Sequence, residues 1–308
     1  MRPAEDGAAG TPDNLRRRRL PFRGPLAWEP LANALAAHAV PGLERVTRHP
    51  GGAAVERLLE TASGAVPVTV RLGPQEVVLE TPVLPEREEA ALTAAVRNWL
   101  DLEADPALID PFLAGFDRLE PLVRRHPGLR VPGSLNGFET AVQTVLGQQV
   151  SLAAARTFGA RLVAAFGQPG PSGLSTFPTA PQLAAVPAAD IQAAVRITHS
   201  RARTVAALAS AVAGGLPLHP GADSGTVRAG LLALPGIGPW TADYLAVRVV
   251  GDRDACPVDD LVLKRALDVK SGRLAAALSE PWRPWRAYAL FHLWTGAAYS
   301  PATAPDRD

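Results

Sequence analysis

The pattern of apolar and polar positions changes near residue 84. Before that point, residues 65–72 and 76–82 alternate in part, are rich in β-branched side chains and are separated by a Gly-Pro pair, which predicts a β-hairpin. Residues 31–40 have helical spacing, whereas the periodicity of residues 43–62 leaves open whether they add a second strand pair. This pattern favours a small antiparallel sheet with a helix.

Beyond residue 85 the strand pattern gives way to helical spacing that continues to residues 285–294. Gly- and Pro-rich connections punctuate these helices, and no internal repeat is visible. The predicted fold class is α+β and mostly α. The predicted segments are a disordered tail at 1–19, an N-terminal α+β domain at 20–84, a helical domain at 85–230 of which 85–112 packs with the C-terminal part, a helix-hairpin-helix catalytic subdomain at 231–300, and a tail at 301–308.

The first tail ends in four consecutive arginines, from Arg16 to Arg19. Such a run is suited to contact DNA phosphates. A solubilising extension or a leftover linker is an equal alternative, and the run by itself does not decide between them.

Composition narrows the function classes. The formal net charge of the 308 residues is only +1, so contact with nucleic acid would have to come from a local basic patch. The single cysteine, Cys256, excludes a disulfide framework, a Cys-rich zinc site and a four-cysteine iron–sulfur cluster. Since no apolar run reaches membrane-spanning length and no signal-peptide core follows the start, a cytoplasmic protein without a membrane partner is predicted.

Residues 234–244 carry the densest turn signal of the chain. Two glycines and two prolines lie within five residues, an apolar run precedes them and helical spacing follows. The pattern predicts a helix, a tight glycine turn and a second helix, whose first amide N–H groups would form an anion site. An ordinary loop between two packed helices is the alternative.

The adjacent acids Asp259 and Asp260 precede the next apolar-periodic helix. One of them is expected to cap that helix, because an acid at this place bonds to free amide groups and favours the helix dipole. Two adjacent carboxylates exceed what a cap needs. A carboxylate here also suits the stabilisation of a cationic transition state or the orientation of a water molecule.

The turn at 234–238 followed by Val258-Asp259-Asp260 resembles the helix-hairpin-helix/Gly-Pro-Asp signature of base-excision DNA glycosylases, and within them the 3-methyladenine DNA glycosylase II, or AlkA, family. The resemblance implies two all-helical subdomains after the sheet, with a helix-hairpin-helix motif and a cleft between them. The likeness covers residues 20–299 and includes the segments 128–133, 145–151, 236–242 and 285–294.

The family pattern places its catalytic aspartate three residues before an aliphatic position and five before a basic one. Here these positions are Leu263 and Arg265, so the resemblance selects Asp260 as the catalytic carboxylate, with Asp259 as the second choice.

The resemblance also implies a base pocket in which Trp294 stacks on the flipped base and Trp240 and Tyr244 form further walls. A monovalent cation on the backbone of Leu234 and Ile237 is the one cofactor it implies. The implied DNA-binding residues are Leu234, Gly236, Ile237, Gly238 and Thr241 at the hairpin, and Gln148 and Gln149 where the family inserts a side chain into the gap left by the base. Further candidates for phosphate contact, or for solvated helix faces, are Arg196, Arg201, Arg203, Lys264 and Arg265.

The function implied is that of a monomeric, monofunctional DNA glycosylase whose partner is double-stranded DNA with alkylated bases of the 3-methyladenine and 7-methylguanine type. Such an enzyme must extrude the base, and a cationic base leaves readily once a carboxylate stabilises the sugar cation. Trp240 stands where relatives that also cut the strand carry a Schiff-base lysine, so no lyase activity is expected. A non-catalytic helix-hairpin-helix DNA-binding protein and a glycosylase for deaminated or oxidised bases are the alternatives.

Overall fold

The computed structural model describes residues 15–298 and gathers their apolar side chains into two hydrophobic cores. The first core lies between a five-stranded antiparallel sheet, in the order β1-β5-β4-β3-β2, and two helices. These elements are β1 (Leu15–Leu20), α1 (Trp28–His38), β2 (Glu44–His49), β3 (Gly52–Thr61), β4 (Gly64–Leu72), β5 (Val77–Pro82) and α2 (Glu86–Trp99).

The sheet contains the predicted hairpin, since β4 and β5 pair with Leu72 opposite Val77. Residues 43–62 supply the second strand pair that their periodicity left open, because β2 pairs with β3. β3 is buried almost continuously from Gly52 to Leu59. A strand without an exposed face shows no alternation of apolar and polar residues, which is why the pattern there was ambiguous.

The prediction of a disordered tail up to residue 19 is wrong for its last five residues, which form the edge strand β1 along β5. The arginine run forms a strand because its side chains meet acids of the same domain. Arg16 and Arg18 bond to Glu89 of α2 at 2.5 and 2.6 Å, and Arg17 bonds to Glu80 of β5 at 2.9 Å. Residues 1–14 of the predicted tail, and the tail predicted at 301–308, lie outside the described residues.

α2 packs on the sheet, so the prediction that residues 85–112 pack with the C-terminal part is wrong for this helix. Its side chains Leu92, Val96 and Trp99 recur on one face and belong to the first core. The next helix, α3 (Pro106–Ala114), contributes Ile109 to the second core instead.

The second core is built almost entirely from helices of the later chain, and the predicted fold class, α+β and mostly α, is thereby confirmed. In residues 15–298 no helix combines the length and apolar character needed to cross a membrane. After α3, the elements are α4 (Glu120–Arg125), α5 (Gly137–Gly147), α6 (Leu152–Phe166), the short paired strands β6 (Gln168–Pro169) and β7 (Ser175–Thr176), α7 (Ala180–Ala184), α8 (Ala188–Val195), α9 (His199–Ala213), α10 (Ser224–Leu232), α11 (Pro239–Leu245), α12 (Leu261–Ala266), α13 (Gly272–Ser279) and α14 (Arg286–Ala298).

Candidate active site

The turn between α10 and α11 has one position that only glycine fits. Gly236 has a φ of +80°, and a Cβ there would lie 2.2 Å from Oγ1 of Thr204 on α9. Gly238 differs, because the place of its missing Cβ faces open space while its carbonyl accepts the amide of Ala242 as α11 begins. Ile237 between them is buried in the second core. The predicted helix, turn and helix are present, anchored at Gly236 and Ile237 and open at Gly238.

The loop between α5 and α6 is joined to this hairpin by Gln148. Its side-chain Nε2 donates to the carbonyl of Gly236 and to Oγ1 of Thr241, both at 3.1 Å. The backbone carbonyl of Gln148 accepts a hydrogen bond from the Arg201 guanidinium at 2.5 Å. The next residue, Gln149, is exposed and has a φ of +54°. The structure therefore separates the two glutamines: Gln148 is bound to the hairpin, and Gln149 projects from the loop.

Asp260 is the cap of α12 and at the same time lines the cleft. Its Oδ1 accepts the amides of Val262 and Leu263 at 2.9 and 3.0 Å, as a helix cap does. Two indoles complete the set: Nε1 of Trp294 donates to Oδ1 at 3.0 Å, and Nε1 of Trp240 donates to Oδ2 at 3.1 Å. Asp260 is only 7 % exposed. Asp260 is therefore both the helix cap and the candidate catalytic carboxylate. The sequence had suggested that Asp259 and Asp260 would take one of these roles each.

Asp259 lies elsewhere. Its side chain is 57 % exposed, 3.7 Å from the ammonium of Lys264, and packs against Gly272, where an added Cβ would lie 2.4 Å from the Asp259 Oδ1. Of the two acids, Asp260 alone lines the cleft. This placement is compatible with Asp260 as the first candidate for the catalytic carboxylate and Asp259 as the second.

The cleft between the sheet domain and the helices has a volume of about 350 Å³ and an aromatic wall. Trp240 stacks on Tyr244 with ring centroids 5.1 Å apart and planes 12° from parallel, and Tyr244 lies 5.9 Å from Trp294. All three predicted pocket residues are thus brought together beside Asp260. A base cannot insert between Trp240 and Tyr244, because those two rings already touch.

The cleft is also lined by polar side chains that no sequence motif had indicated. Arg248 donates to the Pro132 carbonyl and to the Tyr244 hydroxyl, both at 2.6 Å, so it fixes one ring of the aromatic wall. Across the cleft, Arg57 of β3 bonds to Glu139 of α5 at 2.7 Å. The one sequence signal for Arg248 is its spacing of four residues from Tyr244, which places both on one helix face. Arg57 and Glu139 carry no motif.

Burial, together with the charges around the cleft, shifts the pKa values of three residues that line it. Burial lowers the pKa of His38 to about 3, and the positive charges of Arg248 and Arg156 act in the same direction, so this imidazole is neutral near pH 7. Burial raises the pKa of Glu44, which Arg57 opposes. Although burial lowers the pKa of Arg57, Glu139 and Glu44 raise it above its ordinary value.

The basic residues considered for DNA contact are placed differently from one another. Arg201 is held by the Gln148 carbonyl beside the hairpin. Arg203 is exposed on α9, one residue before the Thr204 that packs against Gly236. Lys264 neighbours Asp259, as described above, while Arg196 and Arg265 are exposed.

Residues 142–271, which contain the hairpin and Asp260, match the HhH-GPD superfamily of base excision DNA repair proteins, and residues 17–136 match the AlkA N-terminal domain. The fold, with these two domains, is that of a helix-hairpin-helix protein of the HhH-GPD superfamily. The chain is 34 % identical to the DNA-3-methyladenine glycosylase 2 of Escherichia coli (strain K12) over 221 residues, covering 70 % of this chain and 75 % of that protein. The chain therefore belongs to the AlkA family within this superfamily.

Two further proteins extend the comparison. The chain is 40 % identical over 286 residues to a Mycobacterium tuberculosis (strain H37Rv) protein named probable bifunctional transcriptional activator/DNA repair enzyme AlkA, covering 90 % of this chain. It spans only 56 % of that relative's length. The solved structure of a 3-methyladenine DNA-glycosylase from Archaeoglobus fulgidus shares the fold, with a TM-score of 0.79 at 20 % identity over 91 % of this chain and 99 % of the other.

Proposed function

We propose that this protein is a monofunctional DNA glycosylase of base excision repair. It flips alkylated bases of the 3-methyladenine and 7-methylguanine type out of double-stranded DNA and hydrolyses their N-glycosidic bond, leaving an abasic site. The observation that supports this most is the position of Asp260, a carboxylate buried beside an aromatic cleft. The name of the Escherichia coli relative points to the same lesion class.

The cleft suits a base that has left the stack. Extrusion costs a few kcal/mol and costs least for a damaged base, so it contributes to selectivity. A volume of about 350 Å³ is ample for a purine, and Trp294 offers an aromatic surface on which a cationic, electron-poor ring stacks. An alkylated purine would therefore be recognised by its positive charge and by stacking of its ring more than by its exact shape.

Asp260 is placed to act on the sugar. As the C1′–N bond breaks, its electron pair goes to the base, which leaves as a neutral molecule, and positive charge develops on the sugar. A fixed carboxylate opposes that charge at the moment it forms, which is the usual source of a large rate increase. Water then adds to C1′ and loses its proton to give the abasic site.

The hairpin would hold the DNA backbone through its segment from Leu234 to Thr241. Gly238 leaves open space at the turn, so a phosphate can approach the backbone there. The carbonyl of Leu234 accepts a long hydrogen bond of 3.3 Å from Ile237, and its second lone pair is available to a ligand. Backbone carbonyls of this kind suit a monovalent cation, and Leu234 and Ile237 are the residues that would hold it.

No strand cleavage is expected, and Trp240 supports this part of the proposal. An indole has no amine that could form a Schiff base with the sugar, and here its N–H is bonded to Asp260.

We infer that the protein acts as a monomer in the cytoplasm, where its chromosomal substrate lies. Light scattering of the free protein and of its DNA complex would show one protein mass per duplex.

The test is the release of methylated purines from alkylated duplex DNA by the wild type, Asp260→Asn and Asp259→Asn. The wild type and Asp259→Asn are expected to release base at similar rates, and Asp260→Asn to be slower by at least about 100-fold. Strands should break only after alkali treatment, and borohydride should trap no protein–DNA adduct. Equal release by the wild type and Asp260→Asn would overturn the assignment. Damage-independent binding without any release would favour a non-catalytic DNA-binding protein.

A further inference from the structure

The four donors to Asp260 are distributed unequally over its two oxygens. Three of them, the amides of Val262 and Leu263 and the indole of Trp294, point to Oδ1. Oδ2 accepts from Trp240 at 3.1 Å. A carboxylate oxygen has two lone pairs, so Oδ1 is saturated and Oδ2 has one lone-pair direction left.

We infer that Trp240 and Trp294 are positioning residues that act through Asp260, and that Oδ2 is the oxygen presented to the sugar. This inference rests on the proposed glycosylase function and adds to it a role for the two indole N–H groups that is separate from ring stacking. The backbone amides fix one end of the carboxylate, and the indoles set its rotation about the Cβ–Cγ bond.

The aromatic wall is built to keep these N–H groups in place. Trp240 is stacked on Tyr244, whose hydroxyl accepts from Arg248, and Trp294 meets Phe291 edge to face at 5.0 Å. Neither indole can rotate without breaking such a contact. Fixed donors around a charged group cost no reorganisation during the reaction, whereas water dipoles would have to reorient.

The two indoles are expected to contribute unequally. Oδ1 keeps two backbone donors when Trp294 loses its N–H, so the carboxylate stays capped. Oδ2, the oxygen presented to the sugar, accepts from Trp240 and is left without this donor when Trp240 is changed, so nothing on its own side then opposes a turn of the carboxylate. The excision rate should therefore fall further for the loss of the Trp240 N–H than for that of Trp294.

The experiment compares Trp240→Phe and Trp294→Phe with the wild type on a duplex that contains one 7-methylguanine. Phenylalanine keeps an aromatic ring and removes the donor. The single-turnover excision rate is expected to fall about 10- to 100-fold for Trp240→Phe. The Kd for a duplex with a tetrahydrofuran abasic-site analogue should stay within about twofold, because that DNA has no base to stack. Trp285→Phe is the control: Trp285 lies beside Tyr288 and outside the cleft, and its variant should excise at the wild-type rate.

A second replacement removes the donor without leaving a cavity. Benzothienylalanine at position 240 or 294 has the shape of tryptophan with sulfur in place of the N–H, so it tests the hydrogen bond even if a phenylalanine variant unfolds. The same order of rates is expected. Wild-type rates with this residue at both positions would overturn the inference and leave the glycosylase assignment intact. If the wild-type protein itself released no base, the proposed function and this inference would both fall.

Discussion

The side-chain amide of Gln148 donates a hydrogen bond to the carbonyl of Gly236, 3.1 Å away, and thereby joins the α5–α6 loop to the turn between α10 and α11. The same amide reaches Oγ1 of Thr241 at the start of α11. Gln149, the exposed next residue, is held at a fixed distance from the turn by these bonds. Under the proposed function, a side chain that enters the gap left by a flipped base has to keep a fixed distance from the turn that holds the phosphate, and Gln148 would set that distance.

Gln148→Ala should slow base flipping more than it weakens DNA binding. It removes two hydrogen bonds, each contributing about 1 kcal/mol, so the flipping rate is expected to fall about 10- to 30-fold. Stopped-flow fluorescence of 2-aminopurine placed opposite or beside the lesion reports that step. Gln149→Ala is the matched comparison, because it removes the projecting side chain while leaving the Gln148 bonds. If Gln148→Ala flips the base at the wild-type rate, the loop does not depend on this contact.

Gly236→Ala is expected to destabilise the protein by about 1–3 kcal/mol, since the position combines a positive φ with a close approach to Thr204. Gly238→Ala is the matched variant, because its Cβ would enter open space and its φ is −101°. It should unfold like the wild type and weaken DNA binding instead, since the added methyl group narrows the approach to the turn. Thermal unfolding and DNA titration measure the two effects separately. Equal unfolding temperatures for both variants would contradict the distinction.

The site features that could be predicted from sequence are those encoded within a few residues. The glycine turn and the acid that caps α12 are local, and each has a backbone reason that the residue types reveal. The Arg57–Glu139 bond joins residues that are 82 positions apart, and the sequence around each of them gives no signal for its partner. Arg248 likewise bonds to the carbonyl of Pro132, so its place in the cleft depends on how the helices pack.

The error at β1 has the same origin. Four consecutive arginines look like a disordered or DNA-binding tail when only neighbouring residues are considered. Their carboxylate partners, among them Glu80 and Glu89, lie on β5 and α2, more than sixty positions away in sequence. A run of like charge forms a strand once such partners are present, and only the tertiary structure shows them.

DNA affinity should depend on the arginines of α9 and not on those of β1. Arg203 is exposed next to the Thr204 that touches the turn, so Arg203→Gln is expected to lower the slope of log Kobs against log salt by about 0.9. Arg17→Gln should leave the slope unchanged, because the Arg17 guanidinium already bonds to Glu80. Fluorescence anisotropy with undamaged duplex at several salt concentrations measures both. A reduced slope for Arg17→Gln would contradict this prediction and show that the arginine run contacts DNA.

Stability should fall as the pH drops from about 6.5 to about 4, because buried imidazoles resist protonation. Burial lowers the pKa of His292 on α14 to about 4, from an ordinary value near 6.5, with His126 acting in the same direction. Between these values the unfolded chain binds more protons than the folded one, so the free energy of unfolding decreases with falling pH, by about 3 kcal/mol for this residue. The neutral His38 adds a loss of the same sign.

His292→Leu removes this titrating group and puts an apolar side chain of similar size in its place in the core. Its unfolding free energy, measured by urea titration between pH 7 and pH 4, should decrease less steeply than that of the wild type. His219→Leu, at an exposed position, is the reference for the loss of one imidazole. Equal pH slopes for the two variants would contradict this prediction, because they would mean that His292, which is 1 % exposed, takes up its proton inside the folded protein as readily as in the unfolded chain.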